Sequence, residues 1–591
     1  MTRRTFLGGA SAFAAAARTG RAADRRVLRE FPYSQVKLTS GPIADMYRRM
    51  HTHFLKLDED RLLKVYRQRA GMPAPGRDMG GWYDADGFVP GHLIGQFISG
   101  LSRIFAHTGD PEAAAKVRRL VRGYAETFEK DGRPYAGPKA STWACYILDK
   151  YAIGLLDAAT LAGVEEARTL LPRVIRAAIP SIPDHTYDRI GVRNPPYDEP
   201  YVLPENLFNT YALTGDSHFL RMAKLYLLDE GFFAPLAKGE NVLPGKHGYS
   251  HVIALSSGAR AYEVLGKEEY LHAIRNAWDM IEQTQQFASG AWAPQEQFVQ
   301  PHSGELAASL TATHDHFETP CCFYAYAKLA RYLTSFTGDA RYGDGLERAL
   351  FNTILGALDP DEDGGYFYYS DYHAGAQKKY YQRKWPCCAG TLNQSVADYP
   401  LNIYFHDARG IYVNLYAGSE VRWQADGAPF RLIQNTAYPE SEQVQLRVET
   451  QSPARFSIHL RIPGWLERPP ELLLNGKALS IHAEPATFAT ITRRWRTGDT
   501  VELALPFPIR TVPVDDGHPN TVAVMYGPLM LTAIEAPEPL AVSPDSLRRL
   551  EPVSGRPLEF DVQTTAAKVR MRPFYRVQRE RYTTYFHQQQ L

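Results

Sequence analysis

Cysteine is scarce in this chain of 591 residues, which contains only Cys145, Cys321, Cys322, Cys387 and Cys388. An odd number with two adjacent pairs is a poor disulfide framework, although cross-linking of one pair to the other remains an alternative. Excess charge is lacking as well, since 66 basic residues balance 65 acidic ones. Nucleic acids and acidic membranes require a basic face, so we expect neither as a partner.

Long apolar runs are also missing. The apolar stretch from Leu7 to Ala17 is too short to span a bilayer, so we expect no membrane anchor. It follows Arg3 and Arg4 and ends in small residues near Ala23, a pattern typical of twin-arginine export signals. We therefore predict a signal peptide over residues 1–23 and a periplasmic or secreted protein. This export route carries folded proteins, which suits a chain that must load a metal or close a thiol site first.

Residues 24–400 have the pattern of helices that end at similar stops. Amphipathic segments end at Gly109, Gly215, Gly266 and Gly338. Glycine adopts the left-handed conformation that ends a helix, and the aspartate that follows three of these glycines can cap the next helix. Irregularly spaced helical hairpins of this kind predict a closed toroid, an (α/α)6 barrel. Its active site is expected where loops gather at one end of the inner ring.

After residue 400 the apolar pattern changes to period two, as in Val444 to Val448 and Val501 to Leu505. Turn signals such as Asn475-Gly476 separate these segments. We therefore predict a β-sandwich over residues 401–540, and residues 541–591 form a C-terminal extension to which the pattern assigns no role. The expected fold class is α+β multidomain, with the N-terminal (α/α)6 barrel followed by the β-sandwich region.

Two cysteine-containing segments carry the most chemical information. Cys387 and Cys388 lie between Pro386 and Gly390, which predicts a held loop with two thiols at its tip. Upstream, Glu318 and Cys321 are three residues apart, which places them on one face of a helix. Together these segments offer a carboxylate and several thiols, enough for a tetrahedral Zn²⁺ site. Cys322 and Cys145 are adjacent to apolar or aromatic residues, and we expect both in the core.

Several short motifs follow one another in a fixed order: Gly91-His92-Leu93-Ile94-Gly95, His251-Val252, Glu318-Thr319-Pro320-Cys321, Trp385-Pro386-Cys387-Cys388, Ile462-Pro463-Gly464-Trp465, Gly498-Asp499-Thr500-Val501 and Met525-Tyr526-Gly527-Pro528-Leu529. In these motifs the chain resembles glycoside hydrolase family 127, the β-L-arabinofuranosidases, and the related family 146. The resemblance implies an (α/α)6 barrel followed by β-sandwiches. It also implies that Cys387 is a Zn²⁺-bound nucleophile, and that Glu318, Cys388 and a cysteine after Glu318 complete the metal shell.

The chain departs from that pattern at one ligand. Many relatives read Glu-x-Cys, whereas Pro320 stands at the matching position here. We expect Cys321 to replace the missing ligand, with Cys322 as the alternative. Relatives carry the acid/base Glu in a Gly-rich stretch upstream of the metal-site Glu, and the resemblance of the stretch after Ser289 implies Glu296, with Glu305 as the alternative. We expect the surroundings of Glu296 to keep it protonated. His92, His247, His251 and Trp385 are expected to contact substrate.

The expected function is retaining hydrolysis of a β-L-arabinofuranosyl or related rare sugar from an oligosaccharide or polysaccharide of plant type. Two other classes stay open. One is a polysaccharide lyase or two-carboxylate hydrolase on the same toroid with a structural Zn²⁺ site. The other is a carbohydrate-binding protein without catalysis. A homodimer is an open alternative to a monomer.

Overall fold

The computed structural model describes residues 24–189, 195–361, 365–425, 427–538 and 540–589. The predicted signal peptide, residues 1–23, lies outside this described part. Within it, the longest apolar helices fall short of what crossing a membrane requires.

Most of residues 41–403 are helical. The helices are α1 (Gly41–Lys56), α2 (Glu59–Arg69), α3 (Ile94–Thr108), α4 (Pro111–Asp131), α5 (Ala144–Thr160), α6 (Glu165–Ala178), α7 (Pro204–Thr214), α8 (Ser217–Tyr226), α9 (Ala234–Ala237), α10 (Gly248–Leu265), α11 (Glu268–Thr284), α12 (Glu305–Ala312), α13 (Thr319–Thr337), α14 (Arg341–Asn352), α15 (Cys387–Ala397), α16 (Tyr399–Ile403) and, far downstream, α17 (Pro544–Arg548).

The predicted helix stops are confirmed. Gly109, Gly215, Gly266 and Gly338 all adopt the left-handed conformation at the end of a helix. The side chain of Asp110 then accepts a hydrogen bond from the Glu112 amide at the start of α4. Because each hairpin turns within a few residues, consecutive helices pack side by side and antiparallel.

Six of these helices form a closed inner ring in the order α3, α5, α7, α10, α13 and α15, and α15 packs back on α3. The helices α4, α6, α8, α11 and α14 each pack outside the inner helix that precedes them, and α1 packs on α15. The predicted (α/α)6 barrel is thus confirmed. Gly95 and Gly154 permit the closest approach in the ring, because a Cβ on Gly95 would lie 1.9 Å from the Lys150 carbonyl oxygen.

The strands are β1 (Arg29–Glu30), β2 (Val36–Ser40), β3 (Phe317–Glu318), β4 (Tyr366–Phe367), β5 (Tyr369–Ser370), β6 (Tyr380–Tyr381), β7 (Tyr404–His406), β8 (Gly410–Val413), β9 (Gly418–Ala425), β10 (Ala428–Thr436), β11 (Gln443–Thr450), β12 (Ala454–Ile462), β13 (Glu471–Leu474), β14 (Lys477–Ala478), β15 (Thr487–Trp495), β16 (Thr500–Ala504), β17 (Ile509–Pro513), β18 (Thr521–Tyr526), β19 (Leu529–Ile534), β20 (Ala541–Val542), β21 (Glu551–Pro552), β22 (Phe560–Gln563), β23 (Lys568–Pro573), β24 (Tyr582–Thr583) and β25 (Tyr585–Gln588).

The sandwich consists of a sheet in the order β1-β7-β8-β12-β15 and a sheet in the order β14-β13-β16-β11-β10-β9-β2. Alternate residues of β11, Val444, Leu446 and Val448, are buried as the period-two pattern predicts. The Asn475-Gly476 turn closes the hairpin between β13 and β14, and both turn residues have positive φ.

The structure differs from the predicted domain boundaries at two places. Residues 29–40 supply one strand to each sandwich sheet, because β1 pairs with β7 and β2 pairs with β9. At the other end, β17 to β25 form a further nine-stranded sheet, so the boundary after residue 540 falls inside one sheet. The pairing of β18 with β25 and of β19 with β23 is long-range, which a local sequence pattern does not reveal.

A buried charge network fastens the sandwich to the barrel. The guanidinium of Arg461 on β12 is fully buried and pairs with Asp344 and Glu347 of α14. Glu347 also accepts hydrogen bonds from Trp465 Nε1 at 2.9 Å and from the Tyr438 hydroxyl at 2.8 Å. The last sheet is fastened in a similar way, since Lys378 Nζ donates to the carbonyls of Phe574 at 2.9 Å and Val577 at 2.8 Å.

Candidate active site

A cavity of about 290 Å³ opens at one end of the inner ring. Aromatic side chains surround its mouth, among them Trp82, Phe88, Trp143 and Tyr197, and Cys387 lies among its lining residues. All six inner helices begin at this end, because α3, α5, α7, α10, α13 and α15 each start within a few residues of a lining side chain. Their N-terminal dipoles favour negative charge, which suits the thiols and carboxylates that line the cavity.

Four buried side chains converge at the bottom of this cavity. Glu318 is the residue before α13, and Cys321 follows it within the first turn. Cys387 and Cys388 are the first two residues of α15, so the predicted loop is wrong and the pair begins a helix. Pro386 is well suited to precede a helix. Gly390 lies inside α15 and permits a close contact between helices, because a Cβ there would lie 2.3 Å from Gln96 Oε1.

The ligand atoms of Glu318, Cys321, Cys387 and Cys388 all lie within 4.8 Å of one another. Cys387 Sγ is 3.0 Å from Glu318 Oε1, Cys388 Sγ is 3.8 Å from the same oxygen, and Cys388 Sγ is 3.4 Å from Cys321 Sγ. A tetrahedral zinc ion with Zn–S bonds of about 2.3 Å holds neighbouring ligands about 3.5–3.8 Å apart.

Two further observations agree with a cation at the centre of this group. Glu318 Oε2 is buried without a hydrogen-bond partner, and all five cysteines are free thiols. Three thiols and one carboxylate form a donor set that soft and borderline divalent metals prefer. The residues present therefore fit a metal ion, and the prediction that Cys321 can replace the missing ligand agrees with the geometry.

The protonation of the group is uneven. Burial raises the pKa of the Cys387 thiol, but hydrogen bonds from Cys321, Cys388 and Glu318 outweigh it and hold the pKa well below its usual range. Burial and the neighbouring Cys387 charge hold the pKa of Glu318 well above its ordinary value. Cys387 is therefore the member of the group most prone to be a thiolate.

Glu296 lies across the cavity on a strained loop. The backbones of Ala293, Gln295 and Glu296 have positive φ values of 61°, 55° and 65°, which non-glycine residues rarely adopt. Glu296 Oε1 accepts hydrogen bonds from the Tyr368 hydroxyl at 3.0 Å and from the Tyr369 hydroxyl.

The expectation that the surroundings keep Glu296 protonated is wrong for the free protein. Burial opposes ionisation, but hydrogen bonds from His247, Tyr369 and Tyr368 lower the pKa of Glu296 to about 2. The carboxylate form is thus the resting state.

Among the predicted substrate-binding residues, His247 lines the cavity, and His92 lies behind the lining close to Cys387. His247 Nδ1 lies 3.1 Å from Glu199 Oε1, and its Nε2 lies 3.5 Å from Glu296 Oε2. His92 is fully buried close to Cys387; its Nδ1 faces the Val89 carbonyl at 2.6 Å, and its Nε2 has no hydrogen-bond partner. Burial lowers the pKa of His92 to about 4, so it is neutral.

The other predicted residues lie away from the cavity lining. His251 is buried behind it, with Nε2 2.9 Å from Asp188 Oδ1. Trp385 packs into the core against Tyr366, with ring centroids 4.6 Å apart. Glu305 begins α12 and lines a different depression of the surface.

Cys322 and Cys145 are both buried in the core, as expected. Neither thiol belongs to the metal-ligand group.

Glu199, Tyr368 and Tyr369 are site residues that the sequence pattern did not identify. Glu199 is buried, and hydrogen bonds from His247 together with the Arg189 charge overcome burial and lower its pKa to about 2. The Tyr368-Tyr369 doublet was the available signal, since a buried tyrosine hydroxyl usually finds a hydrogen-bond partner.

Comparison with known proteins agrees with this geometry. The family model described as β-L-arabinofuranosidase, GH127 catalytic domain, matches residues 35–401, and the GH127 middle-domain model matches residues 410–507. No curated protein sequence matches the chain.

Among solved structures, one described as a GH127 β-arabinofuranosidase superposes with a TM-score of 0.77 at 18% identity, covering 96% of this chain and 98% of the other. The GH127 β-L-arabinofuranosidase Ara127N from Geobacillus stearothermophilus T6 superposes with a TM-score of 0.71 at 18% identity, covering 94% and 100%. At these identities the similarity establishes a common fold.

Proposed function

Because the chain belongs to glycoside hydrolase family 127, we propose that it is an exported retaining enzyme that removes a terminal β-L-arabinofuranosyl or related rare sugar from plant-type glycans. The observation that carries the proposal is the position of Cys387. Its sulfur lies 3.0 Å from Glu318 within a group that fits a metal, and it lines the same cavity as Glu296. A nucleophile and an acid/base group on one sugar-sized cavity are what retaining hydrolysis needs.

Glu318, Cys321, Cys387 and Cys388 would hold Zn²⁺ in this enzyme. When bound, the ion keeps the Cys387 sulfur as a thiolate at neutral pH. The other three ligands then have a positioning role, because they fix the sulfur at the start of α15 and aim it into the cavity.

In the first step the Cys387 sulfur bonds to the anomeric carbon of the sugar. The bond from that carbon to the leaving oxygen breaks, and Glu296 gives the oxygen its proton. In the second step a water oxygen bonds to the anomeric carbon, the carbon–sulfur bond breaks, and Glu296 takes the proton from water. Two displacements at one carbon return its original configuration.

The resting state of Glu296 suits the second step, because a base has to be ionised. For the first step Glu296 needs a proton. The glycosidic oxygen of a bound substrate has no proton to donate. Where it takes the place of the Tyr369 or Tyr368 hydroxyl beside Glu296, the carboxylate loses a hydrogen-bond donor, which raises the pKa of Glu296 and favours proton uptake.

The cavity supports a small, terminal sugar as the cleaved unit. Its volume of about 290 Å³ is at the lower end of ligand pockets, which run from about 300 to 1,000 Å³. Its aromatic rim can pack on the apolar face of the next sugar unit. The similar fold of the two β-arabinofuranosidases supports arabinofuranosides as the first substrates to test.

Export rests on the twin-arginine pattern at Arg3 and Arg4 and on five buried free thiols, which favour a route that carries folded proteins. Replacing both arginines by lysine should leave the precursor in the cytoplasm, whereas unchanged export would contradict this part of the proposal.

The catalytic proposal is tested with Cys387→Ser, and Cys145→Ser is the matched control because Cys145 is also a buried free thiol but lies outside the metal-ligand group. Cys387→Ser should keep the fold, judged by circular dichroism, and lose turnover of a chromogenic β-L-arabinofuranoside. Cys145→Ser should keep both. Near-normal hydrolysis by Cys387→Ser would overturn the assignment of the nucleophile.

A further inference from the structure

A second group of metal-binding side chains lies outside the cavity, where the β3 and β5 segments leave their pairing. His314 precedes β3, and Asp371 and His373 follow β5. His314 Nδ1 is 2.9 Å from His373 Nδ1 and 3.7 Å from Asp371 Oδ2, and His373 Nδ1 is 2.7 Å from Asp371 Oδ1. Three potential ligand atoms from two separate segments thus point at one another.

Hydrogen bonding alone satisfies this arrangement poorly. A carboxylate only accepts hydrogen bonds, so the single proton on His373 Nδ1 would have to serve both Asp371 and the facing nitrogen of His314. A cation placed among the three atoms accepts all their lone pairs at once. With bonds of about 2.0–2.2 Å, a tetrahedral zinc-class ion holds neighbouring nitrogen and oxygen ligands about 3.3–3.6 Å apart. The separations of 2.7, 2.9 and 3.7 Å found here lie on either side of that range, so small side-chain rotations are enough to admit the ion.

The carboxylate is also held in place from behind. Asp371 has only 6% of its side chain exposed, and His316, which is fully buried, lies with Nδ1 2.8 Å from Asp371 Oδ1. The other ring nitrogen of His316 is 3.0 Å from the Ser309 carbonyl oxygen. Metal-ligating carboxylates in proteins are commonly oriented by such an outer partner.

We propose that His314, Asp371 and His373 form a second metal site that takes a divalent ion of the zinc class, with its remaining positions open to water. His314 is 64% exposed, which supplies the open side. The donor set of two imidazoles and one carboxylate differs from the thiol-rich group in the cavity, so the two sites are chemically distinct.

A metal at this second site fastens the segments that hold the catalytic groups. The β3–β5 pairing places Glu318 opposite Tyr369, and the Asp315 carbonyl oxygen accepts a hydrogen bond at 2.7 Å from the Gln295 amide beside Glu296. The Tyr582 hydroxyl donates to the Asp371 carbonyl at 2.7 Å, which links the site to the last sheet. A metal ion bound at this second site would therefore hold the barrel rim, the Glu296 loop and the C-terminal sheet together.

The test counts metal in the full-length mature protein after equilibration with Zn²⁺ alone and gel filtration. The wild type should hold two equivalents and His373→Ala one. Added Zn²⁺ should raise the melting temperature of the wild type more than that of the variant, because the variant retains only the cavity site. His185→Ala is the matched control, because His185 is an exposed histidine whose Nδ1 lies 2.6 Å from Asp184 Oδ1 but which belongs to neither of the metal-ligand groups found among the described residues. It should keep both equivalents.

Co²⁺ in place of Zn²⁺ separates the two sites by their spectra. Thiolate-bound cobalt gives a sulfur-to-metal charge-transfer band, and cobalt held by nitrogen and oxygen does not. The second equivalent should therefore add absorption without that band. If His373→Ala is unstable, the exposed His314→Ala serves instead. A wild type that holds one equivalent, or variants that keep the second, would overturn the proposal.

Discussion

Replacing Glu296 by glutamine isolates the proton transfer, because the amide keeps the size of the side chain. Its oxygen can still accept from the Tyr368 and Tyr369 hydroxyls, so the strained loop should keep its position. The loss is then confined to acid–base catalysis, which is worth about 10²–10⁴-fold, or about 2.7–5.4 kcal/mol of the barrier. We expect that loss in kcat/KM for a glycoside with an alkyl leaving group.

A nitrophenyl leaving group needs no proton, so Glu296→Gln should release nitrophenol in a burst equal to the enzyme concentration and then stall without its base. Intact mass spectrometry should find one sugar unit added to the protein, on the peptide that carries Cys387. Glu305→Gln is the control, because Glu305 lies outside the cavity lining and should behave as the wild type. Equal losses for both leaving groups, with no burst, would refute the role of Glu296.

Three further predictions concern the scaffold and the metal. Arg461→Met removes the guanidinium that pairs with the buried Glu347 and the partly buried Asp344. It should destabilise the protein by roughly 3–5 kcal/mol, seen as a lower melting temperature in calorimetry, and an unchanged melting curve would contradict a stabilising role for this charge network. Burial lowers the pKa of His459 to about 4. Between about pH 4 and 6.5 the unfolded chain therefore binds more protons than the folded one, and stability falls as the pH is lowered. In urea unfolding, His459→Gln should lose less stability between pH 7 and pH 5 than the wild type does, and equal losses in the two proteins would argue against this role of His459. Removal of metal by a chelator should abolish turnover and let Cys321 and Cys388, whose sulfurs are 3.4 Å apart, form a disulfide in air. A thiol titration should then find two fewer thiols, and full retention of activity in metal-free protein would exclude a catalytic metal.

Features set by neighbouring residues were predictable from the sequence. The helix ends at Gly109 and Gly338 are local, since a glycine that follows an amphipathic helical segment readily adopts the left-handed conformation that ends the helix. The metal-ligand group was predictable because its members lie in two short segments, with Glu318 and Cys321 one helical turn apart. The helical backbone of the Cys387-Cys388 pair was not predictable, because Gly390 marks a close contact with Gln96 and not a turn.

Features set by distant residues were not predictable. The ionisation of Glu296 depends on His247, Tyr368 and Tyr369, which come from two other segments. The position of the Trp385 ring was not predictable either. The backbone of Trp385 is left-handed, with φ of 47°, and its ring packs on Tyr366 in the core, although the neighbouring Lys384 lines the cavity. A one-residue change of direction decides which of two adjacent side chains lines the cavity.

The strands at the start of the described chain have a consequence for biosynthesis. Val36 on β2 pairs with Val421 on β9, and α1 packs on α15, the last helix of the inner ring. When residues 29–56 leave the ribosome, their partners are still untranslated. Neither the ring nor the sandwich can be completed until most of the chain has been made, and the N-terminal segment must stay unpaired, and available to chaperones, for nearly that whole time. Truncations from the front should therefore be as damaging to the sandwich as deletions within it.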